Sequence, residues 1–505
     1  MPFLSALTNR GRRIESHRPW PRVVVDVTTW RQAIVGLAAG EATLLGLWSD
    51  GESVHMGLIA EAKILVVSLL VTKRRYPSVG LSHAPALRLE RMIRDLYGLE
   101  PEGLPDGRPW IDHGRWGVSQ PLGARRPAPA TGAAYAFLEA EGAPLHQIPV
   151  GPVHAGIIEP GHFRFTANGE TVVRLEERLG YVHKGIEGLM AGAPLERAAR
   201  LAGRVSGDST VAYAIAFAQA VEAALEFTVP QRAVLLRALM AELERLANHF
   251  GDIGAICNDA SFSLMHAHCG ALREHVLRSA EACFGHRLMM DRVVPGGRAV
   301  ELDADGISAI RGLINLVQQR FPELVELYDE TASLQDRTVA TGILKPALTQ
   351  QYGAGGYVGR ASGRVFDARR VPGYAPYGEL KFEVPVRKEG DVDARVWIRI
   401  REVEQSLAII EQIINRLPEG LIRSDLDPAV HAKGSCEGLS LVEGFRGDIL
   451  VWVRIQGDGT IAHAHLRDPS WFQWPLLEAA IDGNIVADFP LCNKSFNCSY
   501  SGHDL

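Results

Sequence analysis

The sequence predicts an α+β fold in which a small mixed domain precedes a larger, mainly helical one with peripheral β-sheet segments. Three observations carry this expectation. Residues 21–75 alternate apolar runs such as RVVVDV and KILVVSLLV with short polar or glycine-containing breaks, the mark of paired strands. The stretch SQPLGARRPAPATGAAYAFLEAEGAP, rich in Pro, Gly and Ala, then interrupts all periodicity. Between about 193 and 340 the apolar residues recur at helical spacing.

The 505 residues exceed what one ordinary core organises, so more than one domain is expected. Hydrophobic residues at 47% and charged residues at 22% leave no disordered excess. In order along the chain, PALRLERMIRDLYGL places Leu87, Leu89, Met92, Ile93 and Leu96 on one helical face and completes a first α+β domain over residues 1–118. Residues 119–149 are read as a linker, and residues 150–505 as the second domain. That domain opens with GPVHAGIIEPGHFRFTANGETVVRLEERLG, strands broken by turns. In PQRAVLLRALMAELERLANHFGDIG, residues Leu236, Leu239, Met240, Leu243, Leu246 and Phe250 form one stripe. The helix is expected to end at Gly251, with Glu242, Glu244 and Arg245 left for its other face or for partners. A second long helix, ARVWIRIREVEQSLAIIEQIINRLP, stops at Pro418, and the last hundred residues read as strands and turns.

A net charge of −6 argues against nucleic acid as a partner. Arg10, Arg12, Arg13, Arg18 and Arg22 make the N-terminus locally basic, read as a frayed, solvated arm. Runs such as ILVVSLLV are far shorter than the roughly 20 residues that span a bilayer, and no secretory signal is legible. A cytoplasmic protein without a transmembrane segment is expected. Cysteines 257, 269, 283, 436, 492 and 498 form no CxxC pair and read as reduced thiols. Cys257, His266, His268 and Cys269 look like a metal cluster, but two histidines two residues apart on a helix diverge. The glycine-rich QYGAGGYVGRASGRVFDARRVPGYAPYG lacks the Lys-Ser/Thr ending of a phosphate loop.

Several stretches carry a resemblance in their order and spacing: GPVHAGIIEPGHFRF, GYVHKGIEGLM, ELERLANHF, DRTVATGIL, FEVPVRKEGDVDARVWIRIREVEQSLAIIEQI and EGFRGD. Through them residues 150–505 resemble the quinone-site large subunit of respiratory complex I and the large subunits of membrane-bound energy-converting nickel–iron hydrogenases. YPSVGLSHAPALRLERMIRDLYGL makes the first part similar to the small complex I subunit beside it. The fusion of both is similar to the formate-hydrogenlyase type of hydrogenase.

In the hydrogenases, two CxxC pairs hold nickel and iron through soft, anionic thiolates. The resemblance places those four positions at Ser206 and Ser209, in RVSGDS, and at Ser499 and Gly502, in SYSG. Hydroxyls are hard and neutral, so they do not replace thiolates. A nickel–iron centre is therefore not expected, and Cys492 and Cys498 lie outside ligand register. A quinone is the alternative occupant. The family's quinone-contacting tyrosine, however, falls on Gly207 and its second loop histidine falls near Pro160, although His154 lines the pocket and His162 is close by.

The resemblance assigns Glu187 to proton transfer, a task a part-buried carboxylate suits; the competing reading is a helix-face salt bridge. Arg446, in EGFRGD, lines the pocket or stabilises a turn. Lys184 and Arg204 fall where relatives place positive charge near a partner's iron–sulfur cluster, or else form interface salt bridges. The implied partners are an iron–sulfur small subunit and integral membrane antiporter-like and heel subunits, and the implied location is peripheral, on the inner face of the cell membrane. Hydrogenase large subunits often carry a removable C-terminal extension; the sequence stops two residues after His503, so no such segment is expected.

Overall fold

The computed structural model describes residues 2–127, 134–139, 141–142, 144–154, 158–426 and 434–505. Parts of the 119–149 stretch and residues 155–157 of the GPVHAGIIEPGHFRF segment lie outside the described residues.

The apolar runs of the first hundred residues form a mixed sheet. After helix α1 (Phe3–Thr8) come β1 (Arg12–Arg13), β2 (His17–Arg18), β3 (Arg22–Val25), β4 (Thr43–Ser49), β5 (Ser53–Ala60) and β6 (Lys63–Leu70). The sheet order is β1-β3-β6-β5-β4, with β3 and β6 parallel and the other neighbours antiparallel. Asp26 turns RVVVDV from strand into helix α2 (Val27–Ala38), because its carboxylate accepts the Thr29 N–H at 2.8 Å. Helix α3 (Leu87–Tyr97) follows the predicted stripe and ends at the left-handed Gly98.

The basic N-terminus is not a frayed arm. Strand β2 pairs in parallel with Cys436–Gly444, and Arg22 lies buried 3.2 Å from Glu437. Arg18 pairs with Glu226 at 2.7 Å. For Arg18 and Arg22, charge that reads as solvated in the sequence is neutralised by carboxylates more than 200 residues away, while Arg10, Arg12 and Arg13 stay exposed.

A three-stranded antiparallel sheet (Leu145–Val150, His162–Asn168, Thr171–Arg178) leads into the helical region. There α4 (Ile186–Met190), α5 (Leu195–Ala202), α6 (Thr210–Ala224), α7 (Gln231–Asp259), α8 (Ser263–Phe284) and α9 (Ala304–Glu330) pack with the helix Val392–Arg416. Helix α7 runs past Gly251 to Asp259. Ile253, Ile256 and Cys257 continue its buried stripe, and a side chain at 251 would meet Arg273 of α8 at 3.1 Å. The apolar stripe outweighs one weak helix former.

Glu242, Glu244 and Arg245 do not face partners; all three are buried. Glu242 accepts from Tyr377 and Ser406 and pairs with Arg369 at 3.0 Å. Arg245 and His249 meet Glu402, which with Glu443 also holds Arg360. This lattice pins α7 to the 356–369 segment, the Val392–Arg416 helix and the C-terminal sheet.

The chain end differs from the strands and turns expected. Strands Cys436–Gly444, Gly447–Ile455 and Ile461–Arg467 are followed by helices Ser470–Ala480, Phe489–Phe496 and Tyr500–Asp504. Trp471, Phe472, Trp474, Leu476 and Leu477 are buried all round their helix, so no stripe marks it in the sequence. The C-terminal sheet packs on β4–β6 through Trp48, Ile64, Leu439, Leu450 and Trp452. Among the described residues no helix is long and apolar enough to cross a membrane.

Candidate functional site

The two serine-bearing segments, nearly 300 residues apart in sequence, meet. Ser206 precedes and Ser209 ends the short turn Gly207–Ser209 before α6, and Ser499 caps the final helix by accepting the Gly502 N–H at 2.8 Å. The hydroxyls of Ser206 and Ser499 lie 3.1 Å apart and buried. Ser206 also donates to Asp208 at 2.6 Å, and Ser209 donates to the same oxygen at 3.3 Å.

An ion pair fills the middle of this cluster. Arg446 donates both terminal nitrogens to Asp208, at 2.8 and 2.6 Å, and its Nε to the Asn497 carbonyl at 2.5 Å. Burial opposes ionisation of Asp208, but the guanidinium and the two hydroxyls hold its carboxyl below the usual carboxylate range. Behind Gly502 stands Asp468, which accepts the Tyr213 hydroxyl at 2.6 Å. A Cβ on Gly502 would lie 2.4 Å from an Asp468 oxygen, so position 502 has no room for a side chain.

The donor set does not fit a nickel–iron centre. It offers neutral hydroxyls, no donor at 502 and a carboxylate already neutralised by Arg446, where soft anionic sulfur is required. Cys498 and Cys492 are buried, and burial pushes both thiols up, away from the thiolate form. The histidines of the second suspected cluster, His266 and His268, are exposed while Cys257 and Cys269 are buried, so the four side chains do not converge.

Glu187 lies apart from the serines. Its carboxylate accepts from His465 Nδ1 at 2.8 Å and from the Leu466 N–H at 3.1 Å. The stretch 465–468 thus touches Glu187 through His465 and Leu466, and Gly502 through Asp468. Glu187 also lines a cavity of about 310 Å³ with Lys184, His183, Leu122 and Leu505. Lys184 Nζ donates to the Val205 and Ser501 carbonyls, at 2.8 and 3.3 Å, bridging the two halves of the cluster. Burial lowers its pKa. Arg204 forms a half-exposed bidentate pair with Asp291 at 2.9 and 2.7 Å. His154 Nε2 donates to the Gly161 carbonyl at 2.7 Å, and open space surrounds position 207, which offers a quinone no side-chain donor.

Residues 259–437 match the family described as respiratory-chain NADH dehydrogenase, 49 kDa subunit. Formate hydrogenlyase subunit 5 of Escherichia coli is 32% identical over 448 residues, covering 87% of this chain and 78% of the relative. The chain belongs to this family of hydrogenase and complex I large subunits. An NADH-quinone oxidoreductase subunit of Phocaeicola vulgatus is 27% identical over 420 residues, 78% of this chain and 80% of that one. Among solved structures, a membrane-bound sulfane sulfur reductase, an archaeal respiratory membrane complex, matches with a TM-score of 0.67 at 26% identity, over 71% of this chain and 98% of that one.

Within that family frame, sequence reasoning missed Asp208, Asp468, His465 and Asn497. Asp208 was legible in principle as the one acid between the two serines of RVSGDS. Asp468 and His465 carry no local signal, since their partners Tyr213 and Glu187 lie more than 250 residues away. Glu244 was also missed as a site residue. Its carboxyl accepts the Val211 and Ala212 N–H groups at the start of α6, and burial pushes its pKa up to about 8.

Proposed function

We propose that this chain is the large subunit of a membrane-attached, complex I-like and hydrogenase-related oxidoreductase complex that works without a nickel–iron centre. In this reading it docks an iron–sulfur small subunit and couples electron arrival, or the conformational change it triggers, to proton or ion movement through antiporter-like membrane subunits. The whole sits peripherally on the inner face of the cell membrane. The observation that carries the reading is the Asp208–Arg446 pair, locked by Ser206 and Ser209, in the space the resemblance assigns to metal.

The chain's own groups support a proton and charge role. Glu187 and His465 form a hydrogen-bonded acid–base pair and Lys184 ties both cluster segments together, while the charge of Arg204 is compensated by Asp291. The quinone reading draws less support, because His154 is occupied and position 207 carries no side chain.

The test is purification of the intact complex with its partners, followed by metal analysis, hydrogen uptake and ion translocation. The expected result is redox-driven translocation with nickel far below one per complex. Stoichiometric nickel, or hydrogen uptake lost on Glu187→Gln, would overturn the proposal. Unchanged translocation after alanine replaces Ser206, Ser209 and Glu187 together would reduce the chain to a scaffold.

A further inference from the structure

On the far side of the serine cluster, three elements meet around two carboxylates and a single guanidinium. Arg88, from α3, donates one nitrogen to Glu177 at 3.1 Å and the other to Glu478 at 2.6 Å. Glu478, on the helix Ser470–Ala480, also accepts the backbone N–H of Glu177 at 2.8 Å, so the two acids are held against each other. Arg88 is itself fixed over Trp110 at 4.5 Å. The Glu177 side chain has no exposed surface, and its Oε1 has no hydrogen-bond partner among the described residues. Two ionised carboxylates here would leave one uncompensated negative charge and a bare buried oxygen. One bound proton removes the excess charge.

The pair opens to solvent on the Glu478 side. Glu478 keeps part of its surface, and a cavity of about 430 Å³ lined by Arg88, Glu177, Glu478, Asp482 and Tyr352 leads up to it. The groups acting on the pair from the packed elements are Arg88 and Tyr352, the neighbouring Glu176, and on the inner side Cys498 and Tyr500, next to Ser499, with His503 near Arg88. Arg91, Arg108 and Arg174 line the same cavity, but Arg91 is paired with Asp106, Arg108 with Asp106 and Glu176, and Arg174 donates to the Leu138 carbonyl. Among the described residues Arg88 is the guanidinium hydrogen-bonded to the pair, and it is shared.

We propose that Glu177 and Glu478 hold one proton between them at neutral pH and form a proton-binding site, separate from Glu187, that exchanges with water through this cavity. The step moves a proton between pocket water and the carboxyl pair, with no change in electron count. The inference deepens the proton-movement reading above and rests on it for its purpose, though not for its test.

Infrared spectroscopy of the intact complex at pH 7 reads the site directly. The expected result is a protonated-carboxyl C=O band that shifts in deuterium oxide and disappears in Glu177→Gln. Glu177→Asp should keep the band at a shifted frequency, which guards against a Gln variant that does not assemble. The site is overturned if no such band is present, or if the band persists at its original frequency in both variants. Translocation fails or survives independently: the band with no translocation overturns the coupled function while leaving this site standing, and translocation with no band overturns this site alone.

Discussion

At the scale of single residues, the structure turns on how Arg446 is neutralised. Its side chain is buried, and its carboxylate partner among the described residues is Asp208. Removing one member of such a pair leaves a desolvated charge without compensation, so Asp208→Ala should destabilise the protein by about 3 kcal/mol, the lower end for a buried pair because Asp208 keeps one edge in water. Denaturant unfolding followed by tryptophan fluorescence measures this; a change within experimental error would mean that the serine hydroxyls and the Asn497 carbonyl suffice for Arg446. The serines and Arg446 were legible as individual positions in RVSGDS, SYSG and EGFRGD. That they enclose an ion pair was not, because the acid supplying it looks like any turn aspartate until Arg446 arrives from 238 residues away.

At the scale of elements, caps and stripes explain most boundaries. The Val392–Arg416 helix starts where Asp391 accepts the Ala394 N–H at 2.8 Å, and the other oxygen of Asp391 accepts the Ala340 N–H at 2.8 Å. One carboxylate thus caps the helix and tethers the DRTVATGIL loop. Asp391→Ala should cost about 1 kcal/mol for the cap alone and more once the tether is lost, while Asp391→Asn should retain most of the stability. Thermal unfolding of the two variants beside the parent separates the contributions; equal loss in both would show that charge, not hydrogen bonding, is what matters. Helix α7 was readable over its apolar stripe because one face repeats cleanly, and its end was not, since a glycine covered by Arg273 stays helical. The closing helices were unreadable for the opposite reason: burial on every side erases the period.

At the scale of the whole molecule, the two sheets are joined by buried charge, and this makes their junction sensitive to acid. His17 in β2 sits where the N-terminal segment pairs with Cys436–Gly444; burial lowers its pKa to about 4, against the opposing pull of Glu437. Between about pH 6.5 and 4 the unfolded chain binds a proton there that the folded chain refuses, so stability falls as pH falls through that window, by about 3 kcal/mol in total for this residue. His17→Asn should make the pH dependence of stability shallower across that window by close to one proton; an unchanged slope would show that His17 does not govern the junction. Composition and periodicity by themselves determined the α+β class, the main helices and the first strands, and the resemblance of ordered motifs pointed to the family. These follow from local patterns, which backbone geometry reads over a few residues. The tertiary structure alone decided that Arg22 of the basic N-terminus is buried against Glu437, that Glu242, Glu244 and Arg245 face inward, and that Asp208 and Arg446 close the serine cluster. In each case the deciding partner lies far along the chain, and the energy of a buried charge depends on that partner rather than on its neighbours in sequence.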